Sequence, residues 1–187
     1  MTFRRRSSGY TIIELMMALA IFAVGITGVA AMQKVTSVSN AHAKNLAIAS
    51  HVAQSWLDGL TVDAYSWTQL DSTRTTNTQW LSAMTSPPAW VMPGPPTTTF
   101  GPGFDALGSF TATAADVAFC THIRLSPLIA TAGSQLIRTE VRVFWPVVGG
   151  GFAGDVCSAT IEEVTTDTER FHTVYKSSAV RQTPGGS

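Results

Sequence analysis

Apolar residues dominate the start of the chain in one long run. From Leu15 to Met32, eighteen consecutive residues carry no charge, and between Tyr10 and Gln33 only Glu14 is ionisable. A helix rises about 1.5 Å per residue, so roughly 20 apolar residues are long enough to cross the hydrocarbon layer of a membrane. The pattern therefore predicts one membrane-spanning helix near the N-terminus.

The apolar pattern continues after this run, but it becomes periodic. Apolar or small residues recur mostly every third or fourth position, which is typical of a helix with one apolar face. They are Val35, Val38, Ala41, Leu46, Ala49, Val52, Ala53, Trp56, Leu57 and Leu60. We expect one helix over residues 10–58, stopped by Gly59 because glycine is favoured just past helix ends. Its predicted parts are a membrane half, 10–33, and an amphipathic half, 34–60.

Residues 61–187 are predicted to form a globular head, and a loop interrupts its first half. Half of the residues in segment 87–104, PPAWVMPGPPTTTFGPGF, are proline or glycine. This composition excludes a helix or a central strand. A loop of this length is often functional or mobile. Alternatively, Trp90, Phe100 and Phe104 hold it against the core.

Strands are predicted in the second half of the head. Apolar and polar residues alternate in segments 117–125 and 137–145, and segment 171–180 is a candidate third strand. Three strands need a cover for their apolar face, because a small isolated sheet is marginally stable. The amphipathic half of the helix can supply it. The predicted fold class is therefore α+β, with one long N-terminal helix packed against an antiparallel sheet.

Charges near the N-terminus indicate a direction of insertion. Arg4, Arg5 and Arg6 precede the apolar run, and basic residues stay on the cytoplasmic side, so the head is predicted to lie outside. Glu14 is unexpected here, because a carboxylate in an apolar span costs about 3 kcal/mol. A secretory signal cleaved near residues 29–31 or a plain signal anchor would explain the apolar run but not this acid.

One short stretch combines these features. Segment 8–16, SGYTIIELM, with the basic leader before it and the apolar helix after it, resembles the class III signal of type IV prepilins and type II secretion pseudopilins. In that family a membrane-embedded prepilin peptidase cuts after the glycine and methylates the new amino group. The resemblance implies a leader of residues 1–9, cleavage between Gly9 and Tyr10, and N-methylation of Tyr10. Glu14 would then meet the terminal amine of a neighbouring subunit as a filament grows.

The same resemblance implies a structural role in a filament. Segment 136–146, LIRTEVRVFWP, is similar to a strand of PilV-type minor pilins, which favours a minor pilin of a type IV pilus. The implied partners are other pilins, the prepilin peptidase, the inner-membrane assembly platform and, before assembly, membrane lipid. The implied location is a single pass of the inner membrane with a periplasmic head, and then the cell-surface pilus.

Two other assignments remain open within this resemblance. One is a type II secretion pseudopilin, and the other is a DNA-uptake or adhesion receptor carried on a pilus. A receptor for nucleic acid needs an exposed basic or aromatic groove. The candidates Arg124, Arg138, Arg142 and Arg181 are few, and Glu140 interrupts them, so nucleic acid is not an expected partner.

Composition adds two restrictions. Twelve basic residues balance twelve acidic ones, and loss of the three leader arginines would leave 9 − 12 = −3, which argues against a surface that binds polyanions through net charge. Histidines and carboxylates are not spaced as a catalytic or metal-binding set. We therefore expect neither an enzyme nor a cofactor; a secreted hydrolase would need an ordinary signal peptide.

Cys120 and Cys157 are the only cysteines. The orientation predicted from the arginines places both in the oxidising compartment, where cysteines tend to pair. A bridge over 37 residues would restrict the unfolded chain by roughly 4 kcal/mol. The sequence therefore predicts a Cys120–Cys157 disulfide, with two buried unpaired thiols as the alternative.

Overall fold

The structure is a computed structural model. It describes residues 9, 11–67, 75, 77–94, 100–131, 134–148, 150, 152 and 154–181. The chain divides into two compact units, Met1–Lys44 and Asn45–Ser187. The predicted α+β arrangement is confirmed, with one long N-terminal helix and a five-stranded antiparallel sheet.

Helix α1 spans Ile12–Ala64. In the first unit, every residue from Thr11 to Lys44 is exposed. In the second unit the helix buries one face, whose members recur every three or four residues. They are Ala49, Val52, Ala53, Trp56, Leu57, Leu60 and Ala64. The buried face therefore starts at residue 49, whereas the sequence pattern placed its start near residue 35.

The predicted end of the helix was wrong. Gly59 lies inside α1, which continues to Ala64. The last turn persists because Leu60 and Ala64 are buried in the core and because the Asp63 carboxylate is fixed by the following segment. That carboxylate accepts hydrogen bonds from the backbone N–H groups of residues 79, 80 and 81 at 2.7, 2.7 and 2.9 Å. Burial in the core therefore outweighs the weak helix preference of one glycine.

The sheet contains two short and three long strands. They are β1 (Trp90–Val91), β2 (Gly103–Phe104), β3 (Phe119–Thr131), β4 (Ser134–Pro146) and β5 (Phe171–Arg181). All pairings are antiparallel, in the order β1-β3-β4-β5, and β2 pairs with the start of β3. The three strands predicted from alternation are thus present, each longer than predicted or shifted by a few residues.

One side of the sheet packs on the second-unit part of α1. Trp56 is central to this core: its side chain is 0% exposed, and its ring lies 5.0 Å from that of Trp80 and 4.4 Å from that of Phe100. From the sheet, Ile123, Val141 and other alternating residues complete the cluster. Burial of this apolar surface is the main force that holds the helix to the strands.

The loop at 87–104 packs on the head. Phe104 is buried, and Trp90 and Phe100 are half-buried. The two short strands β1 and β2 tie its ends to β3. The prediction that its aromatic residues hold it against the core is therefore confirmed for Phe100 and Phe104, whereas Trp90 packs on the other side of the sheet, over Arg124 and Arg142. Residues 95–99 lie outside the described residues.

The opposite side of the sheet carries a smaller cover. Helix α2 (Ile161–Thr166) begins at Thr160, which forms a capping box with Glu163. Val164 of α2 packs with Phe144 and Phe171 in a second apolar cluster. This cover reaches only part of that surface.

Candidate functional site

The first turn of α1 places the predicted assembly residue. Thr11 precedes the helix, and its backbone carbonyl accepts hydrogen bonds from the N–H groups of Glu14 and Leu15 at 3.1 and 3.2 Å. The Thr11 hydroxyl also accepts from the Glu14 N–H, at 3.4 Å, as an N-cap residue does. Glu14 therefore lies in the first turn, where the helix dipole favours a negative charge.

Of the predicted processing and assembly residues, the structure describes Gly9 and Glu14. Gly9 and Glu14 are exposed. Arg4, Arg5, Arg6 and Tyr10 lie outside the described residues. Glu14 lies five residues after Gly9 along the chain, and both residues are accessible.

The apolar side chains that follow Glu14 are also exposed. Ile12, Ile21, Phe22, Val24 and Met32 each leave 65–80% of their surface uncovered. By length and composition, α1 is the one helix among the described residues that qualifies for crossing a membrane. Exposed apolar surface of this extent is typical of helices that contact lipid or other protein chains.

A comparison with protein families identifies the N-terminal segment. Residues 4–30 match the prokaryotic N-terminal methylation motif. The match covers 27 of the 187 residues. No curated protein and no solved structure matches the chain.

The motif and the fold support the same general assignment. A methylation motif followed by a long apolar helix, joined to an antiparallel sheet, supports a type IV pilin-like structural subunit rather than an enzyme. The motif also indicates anchoring in a membrane, processing by a prepilin peptidase and assembly with other pilins. Among the described residues, no group of three or more histidine, cysteine or acidic side chains is arranged to hold a metal ion.

The predicted disulfide is present. Cys120 on β3 and Cys157 are bonded, and their Cα atoms are 5.2 Å apart. Cys157 lies in a short 3₁₀ turn, Val156–Ser158. The Cys157 N–H donates a hydrogen bond to the Asp155 carboxylate at 2.9 Å, which fixes the backbone of this turn. The bond therefore fastens the segment before α2 to the second side of the sheet.

Beside the α2 cover, that side carries an unexpected set of cations and aromatic rings. We call it the arginine face. Strand register places its members on neighbouring strands, on the surface opposite the α1 core. They are Trp90, Arg124, Arg138, Glu140, Arg142, Tyr175 and Arg181.

Glu140 is shared by two arginines of the arginine face. Its carboxylate accepts two hydrogen bonds from Arg124, at 2.7 and 3.0 Å, and forms an ion pair with Arg138 at 2.9 Å. The hydrogen bond from Arg124 is the main reason that the pKa of Glu140 lies below its usual value. Arg138 remains half exposed, so one cation of this network faces the solvent.

Arg142 is buried without a carboxylate. Its side chain is 0% exposed, and its guanidinium donates to the Thr165 hydroxyl at 2.8 Å and contacts Nδ1 of His122 at 2.7 Å. Among the described residues, no ion pair joins it to an acid, and its Nε atom has no hydrogen-bond partner. Burial is the main cause that lowers the pKa of Arg142.

His122 is buried beside Arg142. Burial, and then the adjacent Arg142 charge, lowers its pKa to about 4, so the imidazole is neutral at physiological pH. The residues next to His122 in the sequence do not indicate that it is buried beside an arginine. His122 and Arg142 are separated by 20 residues, and only the register of β3 with β4 brings them together.

Trp90, at the start of the loop, covers the guanidinium groups of Arg124 and Arg142. Its ring centre lies 4.7 Å from the guanidinium carbon of Arg124 and 4.9 Å from that of Arg142, within the range of cation–π attraction. Tyr175 lies beside it, with ring centres 5.9 Å apart. The predicted interruption by Glu140 is therefore confirmed, but the four arginines and two rings form one surface, which sequence analysis missed.

Proposed function

We propose that the chain is a minor pilin of a type IV pilus, processed by a prepilin peptidase, that helps to prime or build the filament. The observation that carries the proposal is the methylation motif at residues 4–30, followed by a helix whose residues from Thr11 to Lys44 are all exposed. Such a helix needs lipid before assembly and neighbouring helices afterwards.

In this proposal the peptidase cuts after Gly9 and methylates Tyr10, and Arg4, Arg5 and Arg6 hold the leader in the cytoplasm. The head then enters the periplasm and reaches the cell surface with the filament. The disulfide, which forms most readily in an oxidising compartment, supports this orientation. A type II secretion pseudopilin would share every one of these features.

Glu14 would supply the assembly contact. As the fifth mature residue, its carboxylate would pair with the terminal amine of a neighbouring subunit, which offsets the cost of a charge in an apolar setting. The structure also gives Glu14 a local role, since it occupies the first turn of α1 next to the cap residue Thr11. The two roles are separable by substitution.

Glu14→Val and Glu14→Gln test the proposed pairing. Both remove the charge and should not impair membrane insertion. Glutamine still suits the third position of a capped helix, so it retains the local role. We expect both variants to be inserted and processed like the wild type but to be depleted in sheared surface filaments. Full incorporation of Glu14→Gln would show that the charge is not used in assembly.

Gly9→Val tests processing in the same cells. We expect it to leave a longer, membrane-bound precursor, because the peptidase needs the glycine at the cut. A matched Gly25→Val change, in a membrane-half position where an added Cβ meets nothing within 4 Å, should leave the cut unchanged. Cleavage of Gly9→Val at the wild-type rate would contradict this proposal.

A further inference from the structure

The arginine face is a charged part of the sheet on which Arg138, Tyr175 and Arg181 are exposed. It holds four arginines against one acid, so its formal charge is +4 − 1 = +3, in a chain whose total formal charge is zero. On this face, the β5 residues between Tyr175 and Arg181 are small and exposed, namely Ser177 and Ala179. This end of the face is therefore accessible to another protein surface.

The buried charge of Arg142 makes this face unusual. A guanidinium that is 0% exposed and has no carboxylate among the described residues is costly, because desolvation is not repaid by an opposite charge. Arg124, a like charge, lies on the same Trp90 ring. An anionic partner placed on this face would lower that cost.

The complementary surface lies in the same chain. Residues 155–169, which we call the acidic segment, contain five acids and no basic residue. Of these, Glu162 and Glu169 are exposed, whereas Glu163 is used in the α2 capping box. The segment therefore carries two exposed carboxylates, those of Glu162 and Glu169, that take no part in the capping box.

Within one chain, the acidic segment contacts one end of the arginine face, where Arg142 donates to the Thr165 hydroxyl at 2.8 Å, but Arg181 lies at the opposite end. Arg170, next to the acidic segment, pairs its backbone with Val147 just past the end of β4, whereas Arg181 pairs with Leu136 near the start of β4. Eleven residues along extended strands correspond to about 35 Å. At physiological salt this is several Debye lengths, about 8 Å each, so Arg181 and Glu169, which precedes Arg170, are available to a second molecule.

We infer that the arginine face of one copy binds the acidic segment of a second copy. The inference deepens the proposed function, because it names a contact between heads of assembling subunits. A nucleic acid is the less suitable occupant: Glu140 lies at the centre of the face, bonded to Arg124 and Arg138, and would repel phosphates. A folded acidic segment can place its few charges around Glu140.

Exchange of charges between two differently tagged copies tests this contact. In full-length chain purified in detergent, Arg138→Glu/Arg181→Glu reverses the arginine face, and Glu162→Lys/Glu169→Lys reverses the acidic segment. Each double variant alone should co-purify with a copy of itself about tenfold less than the wild type, since like charges placed opposite each other cost more than 1.4 kcal/mol. The two double variants mixed together should restore binding.

Matched controls separate this effect from net charge. Asp58→Lys/Asp116→Lys changes the charge by the same amount at exposed positions outside the acidic segment, and it should leave co-purification unchanged. Wild-type binding should weaken as the Debye length falls from about 10 Å at 0.1 M salt to about 3 Å at 1 M. Circular dichroism of each variant confirms that it is folded.

Three results would overturn the inference. They are wild-type copies that do not associate, double variants that associate like the wild type, and a mixture that fails to restore binding. Retention of a single-stranded oligonucleotide instead of a second copy would assign the face to a polyanion. If the N-terminus is processed after Gly9 while the exchange has no effect, the head contact fails and the proposed function stands.

Discussion

Both parts of α1 carry large apolar side chains, but these lie in opposite environments. In the second unit, Trp56 and Leu60 are fully buried, because strands and loop aromatics of the same chain pack on them. In the first unit, Phe22 and Val24 leave 65% and 73% of their surface exposed. An apolar residue in the head thus contributes to folding of this chain, whereas one in the membrane half can contribute only through lipid or another subunit.

A matched pair of large-to-small substitutions gives the strongest test of this contrast. Trp56→Ala removes the centre of the head core and should lower the free energy of unfolding by about 3–5 kcal/mol. Phe22→Ala should leave the stability of the head unchanged. Thermal unfolding of the full-length chain in detergent, followed by near-ultraviolet circular dichroism, measures both. Equal losses would show that the membrane half also supports the head.

The disulfide should stabilise the head without affecting the membrane half of α1. Cys157→Ser removes a link over 37 residues and should cost about 2–4 kcal/mol, mostly by freeing the unfolded chain. Membrane insertion of α1 should be unaffected. Thiol labelling of the denatured, unreduced protein is the accompanying measurement: no label in the wild type and one in the variant are expected, and two labels per wild-type chain would refute the bond.

His122 predicts a pH dependence that is confined to the head. Its folded pKa of about 4 lies below the unfolded value near 6.5, so its contribution to stability is complete above pH 6.5. As pH falls towards 4, the unfolded chain takes up a proton that the folded head excludes, and stability falls by up to about 1.4 kcal/mol per pH unit.

His122→Gln is the control for this slope. It keeps a polar side chain beside Arg142 but cannot titrate. Urea unfolding at pH 7, 6 and 5 should show a smaller loss of stability in the variant than in the wild type. Equal slopes would mean that other groups cause the pH dependence.

Glycine substitutions in the two parts of α1 give the smallest expected effect. An added Cβ at Gly59 would lie 3.6 Å from the Phe100 ring, an ordinary contact, and one at Gly25 meets nothing within 4 Å. Because alanine favours a helix by about 1 kcal/mol over glycine, Gly59→Ala should raise head stability by about that amount. Gly25→Ala should not change it. A loss at Gly59 would indicate that the Phe100 packing cannot adjust.

The sequence predicted those features that depend on local pattern. Hydrophobic periodicity identified the long helix and the three long strands, and the cysteine count identified the disulfide. The helix end was missed because the glycine signal is local, whereas the burial of Ala64 and the hydrogen bonds of Asp63 depend on residues far along the chain.

The arginine face was not predictable for the same reason. Arginines at alternate positions of a strand usually indicate a solvated surface. The loop residue Trp90 and the register of three strands place Arg142 in a buried position, and no local pattern encodes that register. The N-terminal motif was predictable because its residues are contiguous and act without the rest of the fold.

The identity of the mature N-terminus tests the central claim most directly. Mass spectrometry of the protein from membranes and sheared filaments should find a chain that begins at Tyr10 and carries an added methyl group on its amine. An unmethylated chain that begins near Met32 would mean that an ordinary signal peptide was removed. That result would contradict the pilin-like assignment, because the membrane half of α1 and Glu14 would be lost before any filament formed.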